Sequence, residues 1–236
     1  MRRQPLGRTG LAVSEIGFGA WAIGGNAHGN SYGATSDSTS IDAVQRAVEL
    51  GVNFFDTADV YGWGHSEEVL GLALKGRRED VFLATKVGGD FYHGGVRMNF
   101  DPGYLAFALD RSLQRLQTDH VDLYQLHNPP AELMGDPASY EVLDALKGEH
   151  KIDHYGVSVH EPVEALLCLE AASPMSSRFH SVCSVRSGST RSSRKPDGQG
   201  SGSSRGNRWG TDSSRVRSVP GRPFRPETSV INGPRR

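Results

Sequence analysis

Four polar residues of this chain stand where apolar runs end. They are Asp56 in FFDTADVYG, Tyr61 five residues on, Lys86 at the end of VFLATK, and His127 at the end of VDLYQLH. An acid, a phenol, an amine and an imidazole in one pocket suit proton transfer to or from a carbonyl oxygen. A free phenol has a pKa of about 10, too high to exchange protons readily near neutrality. A neighbouring ammonium favours the phenolate and lowers that value. Tyr61 is then the natural proton donor and Lys86 the charge that tunes it. Asp56 keeps Lys86 charged and oriented, and His127 hydrogen-bonds the substrate oxygen. Each residue alone has a plainer reading: a half-buried loop tyrosine, a solvated rim lysine, a capping aspartate, a backbone-bonded histidine. The ordered set, with Asp-x4-Tyr intact, carries the chemistry.

Such residues lie tens of positions apart, so the fold has to gather them. Strand patterns cover residues 15–20, 52–56, 81–86, 121–127 and 155–159. Helical patterns alternate with them. Ser38 caps a helix with Ile41, Val44, Ala47 and Val48 on one face, ended by Gly51. Others follow at 67–74, 101–116, 140–147 and 162–171, the last opening on Pro162. In the third, Tyr104, Leu105, Ala108, Leu109, Ser112, Leu113 and Leu116 line one side. Residues 4–14, with GRTG, read as a small hairpin. Near-continuous apolar strands alternating with helices imply a parallel sheet covered by helices. A doubly wound sheet would carry G-x-G-x-x-G at its first turn, and the spacing of Gly17, Gly19, Gly24 and Gly25 does not match. The expectation is an α/β fold of the (β/α)8, TIM-barrel type, in which all strand C-termini meet at one face.

Composition divides the chain in two. Residues 1–175 hold all 19 leucines; residues 176–236 hold 15 Ser, 12 Arg and 8 Gly. The first part carries a net charge of −11 (13 basic, 24 acidic) and the second +10 (13 basic, 3 acidic). Two cysteines, Cys168 and Cys183, make neither a disulfide framework nor a metal pair. The nine histidines form no evident chelating cluster; His150, His154 and His160 read as surface or turn residues. No run reaches the roughly 18 apolar residues of a membrane span, and no secretory leader is evident. A soluble cytoplasmic protein is expected.

Residues 1–172 resemble the aldo-keto reductases, NADPH-using (β/α)8 barrels of a bacterial type. The likeness rests on LGRTGLAVSEIGFGAW, GVNFFDTADVYGWGHSEEVLGLAL, VFLATKVG, LDRSLQRLQTDHVDLYQLHNP and DHYGVSVH, in that order. It implies reduction of a small aldehyde or ketone with Asp56, Tyr61, Lys86 and His127 as the catalytic set. It also implies Gly19, Ala20, Trp21, Asp56, Asn128 and Ser158 at the cofactor. Where the family commonly has Ser-Asn for the carboxamide, this chain has Ser158-Val159. Glu67 and Glu68 read as favourable charges at a helix N-terminus.

The likeness stops near Ala172, so residues 1–175 read as a barrel truncated after about five β/α units. Residues 176–236 read as a disordered low-complexity tail, or as the product of a reading-frame shift near codons 172–178. A barrel cut there would leave strands one and five as open edges and weaken cofactor binding and turnover. Two other readings stand beside the enzyme: a non-catalytic fragment, and a module whose Arg-rich tail binds nucleic acid through phosphates. The sequence does not fix the substrate, the choice between NADPH and NADH, or the oligomeric state.

Overall fold

The computed structural model describes residues 1–27, 29–92, 94–172 and 182–185. Two short strands, β1 (Arg3–Pro5) and β2 (Ala12–Ser14), pair antiparallel as the expected hairpin. The alternation then begins: β3 (Phe18–Gly19), α1 (Asp37–Glu49), β4 (Phe54–Asp56), α2 (His65–Ala73), β5 (Phe82–Val87). A second small hairpin follows, β6 (Gly89–Asp90) with β7 (Arg97–Met98). The alternation resumes with α3 (Pro102–Leu116), β8 (Val121–His127), α4 (Pro137–Gly148), β9 (Ile152–Val159), α5 (Pro162–Ala172) and β10 (Val182–Val185).

Among the described residues, six strands form one parallel sheet in the order β10-β9-β8-β5-β4-β3. Every strand pairs with its predecessor in the alternation. A doubly wound sheet reverses direction at a switch point; among the described strands there is none. This is the winding of a (β/α)8 barrel.

The sheet corrects two expectations and adds one strand. The first strand is only Phe18–Gly19, because residues 15–17 carry an exposed Ile16 and lie off the ladder. His154 lies inside β9, which starts three residues earlier than its apolar pattern. Beyond the five expected β/α units, Val182–Val185 runs parallel to β9, with Cys183 opposite Val157. This strand falls in the stretch expected to be disordered. Four residues in a polar context give no period, and only the waiting edge of β9 makes them a strand. The rest of that expectation, including any frame shift, concerns residues outside those described.

Side-chain alternation along the strands separates two environments. One face meets the helices. Phe55, Leu83, Tyr124, Leu126, Tyr155 and Val157 pack there against the apolar sides of α1 to α4. In α3 the buried set is Tyr104, Leu105, Ala108, Leu109, Ser112, Leu113 and Leu116, the stripe that the 3.6-residue period marks. The other face is concave. Phe54, Ala84 and Leu123 lie near its base, closed by Leu6 and Val13 of the first hairpin. Asn53 ties that hairpin down: its Oδ1 accepts from the Ser14 amide at 2.6 Å, and its Nδ2 donates to the Ala12 carbonyl at 3.0 Å.

Candidate active site

Strand register decides which polar residues share the concave face. Asp56 pairs with Ala84, Lys86 with Gln125, and His127 with Ser158. Residues two apart on a strand face the same way, so Asp56, Lys86, Gln125, His127 and Ser158 are all on one side, at the strands' C-terminal ends. The first strand-end residues adjoin them through Ala20, whose amide donates to the Asp56 carbonyl at 2.8 Å.

Lys86 is 2% exposed, which a charged amine tolerates only with partners. It has two: Asp56 Oδ1, and the Thr57 carbonyl at 2.7 Å. Gln125 Nε2 lies 3.5 Å from the other Asp56 oxygen. Gln125 escaped the sequence reading, since a glutamine inside VDLYQLH ends no apolar run. Its one signal is its place two residues before His127.

Tyr61 opens the short 3-10 turn Tyr61–Gly64 and is buried. The Lys86 ammonium stands 5.1 Å from the centre of its ring, within the roughly 6 Å of a cation–π contact. The His127 ring meets it edge-on, centroids 5.7 Å apart. Asp56, Tyr61, Lys86 and His127 therefore converge. The His127 imidazole is held well below its ordinary pKa, first by burial and then by the charges of Lys86 and His160. It is neutral at pH 7.

The backbone after Tyr61 is unusual. Gly62, Trp63 and Gly64 take φ of 58°, 53° and 93°. A Cβ on Gly62 would lie 2.5 Å from the Gly24 carbonyl oxygen, so glycine is required there. Trp63 bears the strain of a left-handed conformation without being glycine.

The remaining predicted residues surround this set. Trp21 donates from Nε1 to the Asn30 carbonyl at 2.8 Å, with ring centroids 4.3 Å from Tyr32 and 6.0 Å from Tyr61. Gly19 is exposed and Ala20 fully buried. Ser66 Oγ donates to the Ala20 carbonyl at 2.7 Å. Asn128 has φ 54° and donates its amide to the Ser158 carbonyl at 2.7 Å. Its Oδ1 is buried without a hydrogen-bond partner, an acceptor ready for an amide donor.

Glu67 lies in the first turn of α2, as expected for a charge at a helix N-terminus, and it is also fully buried. Thr85 Oγ1 donates to one of its oxygens at 2.5 Å and Arg115 Nε to the other at 2.7 Å. What the sequence did not show is Arg115, 48 residues on in α3, which no local pattern links to Glu67. Glu68, beside it, is exposed.

At the opposite end of the strands, His120, Asp122 and Asp153 bring ligand-type atoms within 4.8 Å of one another. Asp122 Oδ2 is already taken by Arg78 at 2.7 Å and the Leu83 amide at 2.8 Å, leaving little for a cation. Among the described residues, no helix is long and apolar enough to cross a membrane.

The model of the Aldo/keto reductase family matches residues 15–176. An uncharacterized oxidoreductase of Bacillus subtilis, YqkF, is 38% identical over 164 residues, 69% of this chain and 50% of the relative. Aldo-keto reductase YhdN of the same organism is 36% identical over 177 residues, 74% of this chain and 52% of the relative. The chain thus spans about half the length of these curated relatives. Among solved structures, the holo form of aldo-keto reductase AKR11C1 from Bacillus halodurans aligns at TM-score 0.65 with 33% identity. That alignment covers 86% of this chain and 72% of the other.

Proposed function

The chain belongs to the aldo/keto reductase family, and from that premise we propose that it reduces a small aldehyde or ketone to the alcohol with NADPH. The observation that carries this reading is the Lys86 ammonium over the Tyr61 ring, with Asp56 holding the lysine and His127 edge-on to the phenol. NADPH, when bound, supplies the hydride.

The chain's own residues handle the proton and the charge. Tyr61 gives its phenolic proton to the carbonyl oxygen as negative charge develops there. Lys86 stabilises the phenolate left behind. Asp56 and the Thr57 carbonyl fix Lys86, so it does not swing away to solvent. His127, kept neutral by burial and then by the field of Lys86, has an N–H to give the carbonyl oxygen without competing as an acid.

Asn128, Ser158, Gly19, Ala20, Trp21 and Asp56 are the proposed cofactor contacts. The unpartnered Asn128 Oδ1 fits the amide hydrogens of a nicotinamide carboxamide. Ser158, on the same face, fits the same group, while Val159 supplies no second polar contact. Absorbance of NADPH, followed with short aldehydes and ketones, tests the reading. Carbonyl-dependent oxidation is expected. A folded protein that binds NADPH but turns over none of them would overturn it.

A further inference from the structure

Between Asp56 and Tyr61 lies a buried acid for which the chemistry above has no use. Asp59 is 0% exposed; no side-chain donor reaches its carboxyl oxygens, and only the Val60 and Gly88 amides lie near them, short of good hydrogen-bond geometry. Its amide donates to the Lys86 carbonyl at 3.0 Å, which fixes it at the strand ends two residues before Tyr61. Beside it is the equally buried Glu67, which already takes the Thr85 hydroxyl and Arg115 Nε. The other donors of Arg115 go to the Tyr92 hydroxyl at 2.9 Å and Ser112 Oγ at 3.4 Å. Two buried carboxyl groups therefore share one guanidinium, and the geometry gives it to Glu67.

An ionised carboxylate without a cation or side-chain donor of its own in so dry a place costs several kcal/mol, whereas the neutral acid costs far less. Burial first, and then the Glu67 charge, push Asp59 well above the usual carboxylate range. The Arg115 charge and the nearby Val60 and Gly88 amides oppose that shift without reversing it. The other titratable groups facing Asp59 are the phenols of Tyr92, Tyr104 and Tyr124. Each is itself pushed up, chiefly by burial, and none brings a positive charge. Lys86 is engaged by Asp56 and the Thr57 carbonyl.

The turn bearing Tyr61 rests on this cluster. A Cβ on Gly64 would lie 2.6 Å from Arg115 Cδ, so the turn's backbone lies directly on the arginine stem.

We propose that Asp59 is a neutral carboxylic acid in the folded protein and a positioning residue for Tyr61. As an acid it lets the 58–64 turn seat on the Glu67–Arg115 pair; ionised, it drives the turn off that seat. The role given to the turn rests on Tyr61 being the proton donor; the protonation state of Asp59 does not.

The test needs neither cofactor nor substrate. The infrared spectrum of the full chain at neutral pH should contain a carboxylic-acid carbonyl band that Asp59→Asn lacks. Near-ultraviolet circular dichroism, in which Trp21 and Trp63 report on the surroundings of Tyr61, should change as alkali ionises Asp59. Asp59→Asn should stay flat over that range. Glu67→Gln frees Arg115 for Asp59 and should move the change down by at least one pH unit. Absence of the band at neutral pH, or a dichroism change that persists in Asp59→Asn, would overturn the proposal. If Asp59→Asn does not fold, Glu67→Gln decides, and an unmoved change then refutes it. A chain without turnover leaves these readouts intact, so failure of the catalytic reading is distinguishable from failure of this one.

Discussion

The Lys86 ammonium stands 5.1 Å from the centre of the Tyr61 ring while donating to Asp56 and to the Thr57 carbonyl. The lysine is thus held by one set of atoms and directed at another. Its position is set before any substrate arrives, the condition for electrostatic preorganisation.

Tyr61→Phe keeps the ring, its contact with Lys86 and its packing against His127, and removes only the proton. Carbonyl-dependent NADPH oxidation should fall by about 10²–10⁴-fold. The affinity for NADPH, read by fluorescence titration, should change little. Equal loss of both would assign Tyr61 to binding instead.

His127 links pH to stability. Its folded pKa lies below the unfolded value of about 6.5. As pH falls through 6.5 the unfolded chain takes the proton first, so stability drops on acidification until the folded pKa is reached. The slope from this one group is at most about 1.4 kcal/mol per pH unit. Urea midpoints between neutrality and mild acid should show this fall, and His127→Gln should reduce it. Proton NMR should find the His127 ring untitrated at pH 6.5.

Arg115→Leu strips the buried cation from Glu67. Breaking a buried ion pair by removing one partner costs roughly 3–5 kcal/mol. Urea unfolding at unchanged slope should show a loss of that size. A loss below about 1 kcal/mol, the range of exposed pairs, would mean that water reaches the cluster.

Gly62→Ala forces a Cβ against the Gly24 carbonyl at a φ of 58°. The left-handed conformation alone costs about 1–2 kcal/mol, and the clash adds to it. Both the melting temperature and the turnover should fall, because the turn holds Tyr61. Gly103, inside α3 with nothing within 4 Å of an added Cβ, is the control. Gly103→Ala should stabilise by about 0.5–1 kcal/mol.

Much of this was readable from residue order alone. The stripe from Tyr104 to Leu116 has a helical period, and the site residues end apolar runs. Both are local signals. What stayed hidden is what long-range geometry decides. Glu67 reads as a charge at a helix start, and nothing local shows that Arg115, distant in sequence, also closes on it. Asp59, inside the quoted ADVYG, is one acid among loop residues until the sheet buries it. Strand β10 has no pattern of its own and takes its conformation from the edge of β9. The choice of barrel over doubly wound sheet rested on the unmatched glycine fingerprint and on the family resemblance, not on any local signal of strand order.

The strand order also bears on how the chain is made. Each strand of the large sheet lies beside its predecessor, so every N-terminal stretch ending after a strand is already a contiguous sheet. A ribosome delivering about 5–20 residues per second presents each new β/α unit with a finished edge to dock on. Among the described strands growth occurs at one margin only, and none of them waits for a later one to be inserted between it and its predecessor. Each docking step closes a loop of about 30 residues, which keeps the entropy of closure small and nearly the same at every step.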